Sequence, residues 1–84
     1  MTDLEYDVID NLYFVTSYGS LKEELSFDDR VLMQLLWRLM EKRWVKCLRD
    51  PESEIWPDHH EFELNFSDYH YLATKEGLFL HNER

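Results

Sequence analysis

The chain has 84 residues, enough for one domain (1–84) with one modest core. An apolar fraction of 44% with 15% aromatic residues excludes a disordered polypeptide. A net charge of −9 opposes binding to nucleic acid or to an anionic membrane surface, and a single cysteine, Cys47, rules out an internal disulfide and fits a reducing, cytoplasmic setting.

The opening MTDLEYDVID is acidic and lacks the apolar centre of a secretory leader. No apolar run approaches the roughly 18 residues needed to span a bilayer. A first helix is predicted to start after Thr2 or Asp3, with Leu4, Val8, Ile9 and Leu12 as its apolar stripe. Thr16 to Gly19 reads as a turn. Ser20 with Glu23 forms a capping box for a short helix carrying Leu21 and Leu25, and Ser26 with Asp29 repeats the pattern. The third helix is predicted from about Phe27 to Lys42. At about 100° per residue, Leu32, Leu35, Leu36 and Leu39 share its core face. Arg30, Gln34, Arg38 and Lys42 follow one another on the far side, with Glu41 among them, while Met33 and Trp37 lie on a flank.

Trp44 to Leu48 alternates as a strand. Residues 50–68 read as an acidic loop broken by Pro51 and Pro57, with seven acids and no Lys or Arg. Phe62, Leu64 and Phe66 alternate with polar residues, which predicts a strand or extended arm. Tyr69 to Ala73 is a further strand, and Thr74 caps a last helix from Lys75 to about His81 with Leu78 facing inward.

Charge is unevenly spread. Residues 30–49 hold six bases against one acid, leaving −14 for the rest of the chain. Such asymmetry marks either a partner surface or a basic segment neutralised by acidic neighbours in the same fold.

Two stretches carry a resemblance. Ser20-Leu21…Leu25-Ser26…Leu39…Lys42-Arg43-Trp44-Val45 resembles helix 2, helix 3 and the first wing strand of bacterial winged helix-turn-helix regulators. Tyr71-Leu72-Ala73-Thr74-Lys75-Glu76-Gly77 is similar to the element that closes the wing in that family and opens the next helix. The resemblance implies an α+β, winged-helix-like fold over roughly residues 3–82: three helices, a two-stranded wing and a short C-terminal helix. It also implies that helix 3 is the recognition helix, with Arg30, Gln34, Arg38 and Lys42 as the candidate DNA-binding residues. Arg and Gln suit base edges, and Lys suits phosphate. The chain departs from the family at Arg43, where a glycine is common, in the length of the loop between the strands, and in that loop's acidity. An acidic wing repels phosphate.

The competing reading is protein contact. Trp37 and Trp56, with Met33, are large apolar groups outside the main core stripe, and aromatics are enriched at interfaces. Asp58-His59-His60-Glu61 has ligand-type residues without a metal-binding spacing, so no metal site is assigned. No glycine-rich phosphate loop and no nucleophile–base pair can be read from the spacing, so neither a cofactor nor an enzymatic activity is assigned. The leading expectation is a non-catalytic winged-helix-type regulatory module that contacts protein, as a homodimer or with another chain. The alternative is a DNA-binding transcriptional regulator.

Overall fold

A computed structural model describes residues 1–83. Its first helix, α1 (Asp3–Asp10), opens on a reciprocal cap. The Thr2 hydroxyl accepts from the Glu5 N–H, and the Glu5 carboxylate accepts from the Thr2 N–H. Val8, Ile9 and Leu12 turn into the core, but Leu4 is 44% exposed and leaves the expected stripe.

The expected turn at 16–19 is instead a short strand, β1 (Thr16–Ser17), running directly into α2 (Tyr18–Glu24). Ser17, not Ser20, is the cap, its hydroxyl accepting from the Ser20 N–H. Asp28, rather than Ser26, caps α3 (Asp29–Glu41), one continuous helix that buries Leu32, Leu35, Leu36, Leu39 and Met40. Ser20 and Ser26 are each followed three residues later by an acid, yet the caps are Ser17 and Asp28, which start the helices where Leu21 and Leu32 reach the core.

Three further strands follow: β2 (Val45–Leu48), β3 (Glu54–Ile55) and β4 (His70–Ala73). The sheet order is β1-β4-β2-β3, antiparallel throughout, with Val45 opposite Ala73 and Leu48 opposite His70. The expected two-stranded wing is therefore part of a four-stranded sheet. The chain between β2 and β4 is also not an open arm. It holds β3, a helix α4 (His59–Asn65) and a 3-10 turn (Phe66–Asp68). The Asp58 carboxylate caps α4 by accepting from the Glu61 N–H, and Phe62 is fully buried while Leu64 is 68% exposed. The Phe62–Leu64–Phe66 alternation thus gives way to a helix that spends one aromatic on the core.

Thr74 caps α5 (Lys75–Asn82), its hydroxyl accepting from the Gly77 N–H. Gly77 is required here by packing. A Cβ at this position would drive into the Trp44 carbonyl oxygen. One contiguous apolar cluster joins α1, α2, α3, α4, β2 and β4. The fold is α+β, with helices packed about one antiparallel sheet.

Candidate functional site

The flank of α3 that faces neither core nor open solvent is where the sequence's unassigned aromatics gather. Trp37 lies half-buried there, covered on one side by α4. Its ring meets Phe62 at 5.3 Å and the edge of His59 at 4.8 Å. Trp37 and Glu41 are shared by two neighbouring hollows. One, of about 350 Å³, is lined by Trp37, Met40, Glu41, Arg43, Trp56 and Pro57. The other, of about 340 Å³, is lined by Met33, Gln34, Trp37, Arg38, Glu41 and His59.

The first hollow is shaped by the way α3 ends. Arg43 takes φ 64°, the left-handed conformation that favours glycine. The Trp44 N–H donates to the Leu39 carbonyl and the Arg43 N–H to the Met40 carbonyl, which closes the helix with the paired bonds of a Schellman turn. So the arginine does what glycine commonly does at a helix end, at a conformational cost of about 1–2 kcal/mol. What accompanies the strain is a contact no glycine could make. The Arg43 guanidinium lies over the Trp56 ring, 4.3 Å from its centroid.

Trp56 is 44% exposed, yet it is held. Its indole N–H donates to Glu54 at 2.9 Å, and Glu54 in turn faces Lys46 at 3.4 Å. The Trp56 hydrogen bond, with the Lys46 contact, draws the Glu54 carboxyl below its ordinary range. Pro57 follows immediately and ends the ladder of β3, since it has no N–H to give.

Of the residues singled out in the sequence, Trp37, Trp56 and Met33 come together on this surface. Gln34 and Arg38 join them, and Arg30 is exposed on the same helix. Lys42 does not belong to the group. Its ammonium donates to Glu5 of α1 at 2.9 Å and lies over Trp44 at 4.6 Å, away from the Arg30–Arg38 stripe. The sequence reading missed Met40, Glu41, Arg43, Pro57 and His59 as parts of the site. Arg43 carried a local signal, because an arginine one step past a helix end must either break the turn or adopt a strained φ. Acidic groups stand close by: Glu41 in both hollows, Glu54 beside Trp56, and Glu63 paired with His59 at 3.0 Å.

Among the described residues, no group of three His, Cys, Asp or Glu is placed to hold a metal ion. Cys47 is buried in β2, and burial pushes its thiol up to about 12, far from the thiolate a nucleophile needs. A second polar cluster lies where α1, the following loop and α5 meet. His81 is 5% exposed, stacked on Tyr6 at 4.0 Å, with Nε2 at 3.1 Å from Asp10 and Nδ1 at 2.9 Å from the Tyr13 hydroxyl. These bonds tie three segments together around an enclosed ring. Among the described residues no helix is long and apolar enough to cross a membrane. Comparison with protein families, with curated proteins and with solved structures finds no match for this chain.

Proposed function

We propose that the chain is a non-catalytic interaction module of winged-helix type that contacts protein through the Trp37–Trp56 face. The observation that carries the reading is the pair of adjacent hollows on α3, sharing Trp37 and Glu41, with Trp56 at the rim. Concave floors that mix aromatic and apolar groups with charged ones, with a partly exposed Trp and an Arg at the edge, suit an inserted side chain from a partner. Helices α2 and α3 followed by an antiparallel β2–β4 pair and a capped α5 support the winged-helix part of the reading. A cytoplasmic setting accords with the lone buried thiol of Cys47.

A second reading, DNA binding by α3, is favoured by one feature. Arg30, Gln34 and Arg38 are exposed along a single helix, and neither arginine makes an ion pair among the described residues. Against it, α4 packs on α3 through His59 and Phe62 against Trp37, and α4 carries Glu61 and Glu63 with Asp58 as its cap, so an acidic helix accompanies the stripe and opposes phosphate. Fluorescence anisotropy with random duplex across a salt series separates the two. Weak or no binding near physiological salt is expected. Tight binding with a steep negative salt slope, lost in Arg38→Ala, replaces the first reading by the second. For the first reading, a photo-crosslinker at Gln34 captures a partner whose purified form binds the wild-type chain and not Trp56→Ala. A purified partner that binds both equally removes this face from the proposal.

A further inference from the structure

We propose that the side chain received by the hollow that Trp37 and Trp56 share is cationic, the lysine or arginine of a basic segment of a partner protein, a step that rests on the reading of the α3 face as a protein contact. The hollow, of about 350 Å³, lies at the small end of ligand sites, which run from roughly 300 to 1,000 Å³, and suits one long side chain. Its walls carry two indoles, Met40 and Glu41. An indole attracts a cation through the negative face of its π-system, more strongly than any other aromatic side chain. Trp56 already holds one cation. The Arg43 guanidinium lies 4.3 Å from its ring centroid, and the residue still keeps 44% exposure.

Charge decides the sign of the guest. Glu41 is exposed and makes no ion pair or side-chain hydrogen bond among the described residues. Within the hollow it offsets Arg43, whose guanidinium is engaged on the Trp56 ring. Beyond the rim the balance is negative. Glu54 accepts from the Trp56 N–H, Glu63 pairs with His59, and the whole chain carries −9. A cation meets an attractive field on approach and an unpaired carboxylate on arrival. An anion meets the reverse.

A neutral apolar guest would cover the indoles but take Glu41 out of water with no partner, and an enclosed unpaired charge is costly. The neighbouring hollow suits a cation less. Arg38 lines it together with Glu41, and nothing among the described residues engages that guanidinium.

Random dodecapeptides displayed on phage and selected on the immobilised full chain near physiological salt test the proposal, with synthetic copies measured by fluorescence anisotropy. Selected peptides are expected to carry Lys or Arg beside apolar residues and to lose binding in Trp56→Ala. Replacing a selected lysine by norleucine, which keeps the chain and removes the charge, should weaken binding about tenfold or more. Glu41→Gln should weaken it by a similar factor. Asp7→Asn removes the same charge from an exposed α1 residue that lines neither hollow, and should change affinity about threefold or less. Far-UV circular dichroism should be unchanged in both variants, since both side chains are exposed. Peptides that depend on Trp56 but carry no base, or bind equally with norleucine, overturn the proposal and leave the contact face standing. Equal losses in Glu41→Gln and Asp7→Asn reveal only the general field and overturn it too. Binding that Trp56→Ala leaves intact, or no binding peptide at all, overturns it by removing the face on which it rests.

Discussion

Lys42, just past the end of α3, donates at 2.9 Å to Glu5 of α1, a carboxylate with no solvent exposure. Burial pushes the Glu5 carboxyl up. The Thr2 N–H, the Lys42 ammonium and the Thr2 hydroxyl together outweigh it and leave the group below its ordinary value. A depressed folded-state value means that Glu5 contributes stability above the ordinary carboxylate range of about 4, and that this is lost as pH falls through the lower folded value. Denaturant melts from neutral to acid pH should show the wild type losing stability faster than Glu5→Gln, which has no proton to take up. Lys42→Ala removes the ammonium from an enclosed carboxylate and should cost about 1.5–3 kcal/mol. The low end is expected, because the lysine side chain is itself 41% exposed. Equal acid sensitivity of wild type and Glu5→Gln would show that the pair is thermodynamically idle.

Leu36 is fully buried at the centre of the α3 core face. Its truncation to Ala loses transfer energy and leaves a cavity, about 2–5 kcal/mol together. In a domain of 84 residues that is a large part of the total, so Leu36→Ala is expected to melt near ambient temperature or fail to fold. A loss under about 1 kcal/mol would place the core elsewhere on the helix.

Gly77 sits in α5 with its α-carbon against the Trp44 carbonyl. Helix propensity alone would make Gly77→Ala stabilising by about 1 kcal/mol. Overpacking against backbone costs about 1–3 kcal/mol, and the Trp44 carbonyl has little room to move, since it also accepts from the Thr74 N–H. Packing should win. A thermal melt in which Gly77→Ala is less stable than wild type is the expected result, and a rise in melting temperature would mean that α5 shifts freely.

What could be read from the chain was whatever a single element decides for itself. The leucine face of α3, the strands at Val45–Leu48 and His70–Ala73, and the Thr74 cap all depend on local spacing and hydrogen bonding. The stretch 59–65 was misread because Phe62, Leu64 and Phe66 mimic a strand. The Asp58 cap favours a helix locally, and the docking of Phe62 beneath Trp37 and against Tyr71, which is tertiary, completes the choice. Lys42 was grouped with Arg38 by its i+4 spacing, while its partner is a carboxylate 37 residues away. The two tryptophans of the site were visible one by one. Their neighbours were not, because the contact between Arg43 and Trp56 exists only once β3 returns alongside β2.

Arg43 poses the sharpest test, because fold and proposed function pull its substitution in opposite directions. Its φ of 64° is costly for any residue with a β-carbon and free for glycine. Arg43→Gly keeps the backbone bonds from Arg43 and Trp44 that close α3, and the Thr74 hydroxyl still donates to the carbonyl of residue 43. The strain relieved is about 1–2 kcal/mol, set against a partly exposed cation–π contact of about 0.5–1 kcal/mol and the extra freedom glycine gives the unfolded chain. A net change within about 1 kcal/mol of zero is expected in urea melts, because the terms nearly cancel. Trp56, with its cover gone, should show red-shifted emission and faster quenching by iodide. Affinity for a partner captured on the α3 face should fall despite the nearly unchanged stability. Arg43→Lys separates the roles, since lysine keeps the strain and the charge but not the planar stacking on the indole. A variant Arg43→Gly that is clearly less stable than wild type, with Trp56 emission unmoved, would mean that the arginine is retained for the fold and not for the surface it helps to build.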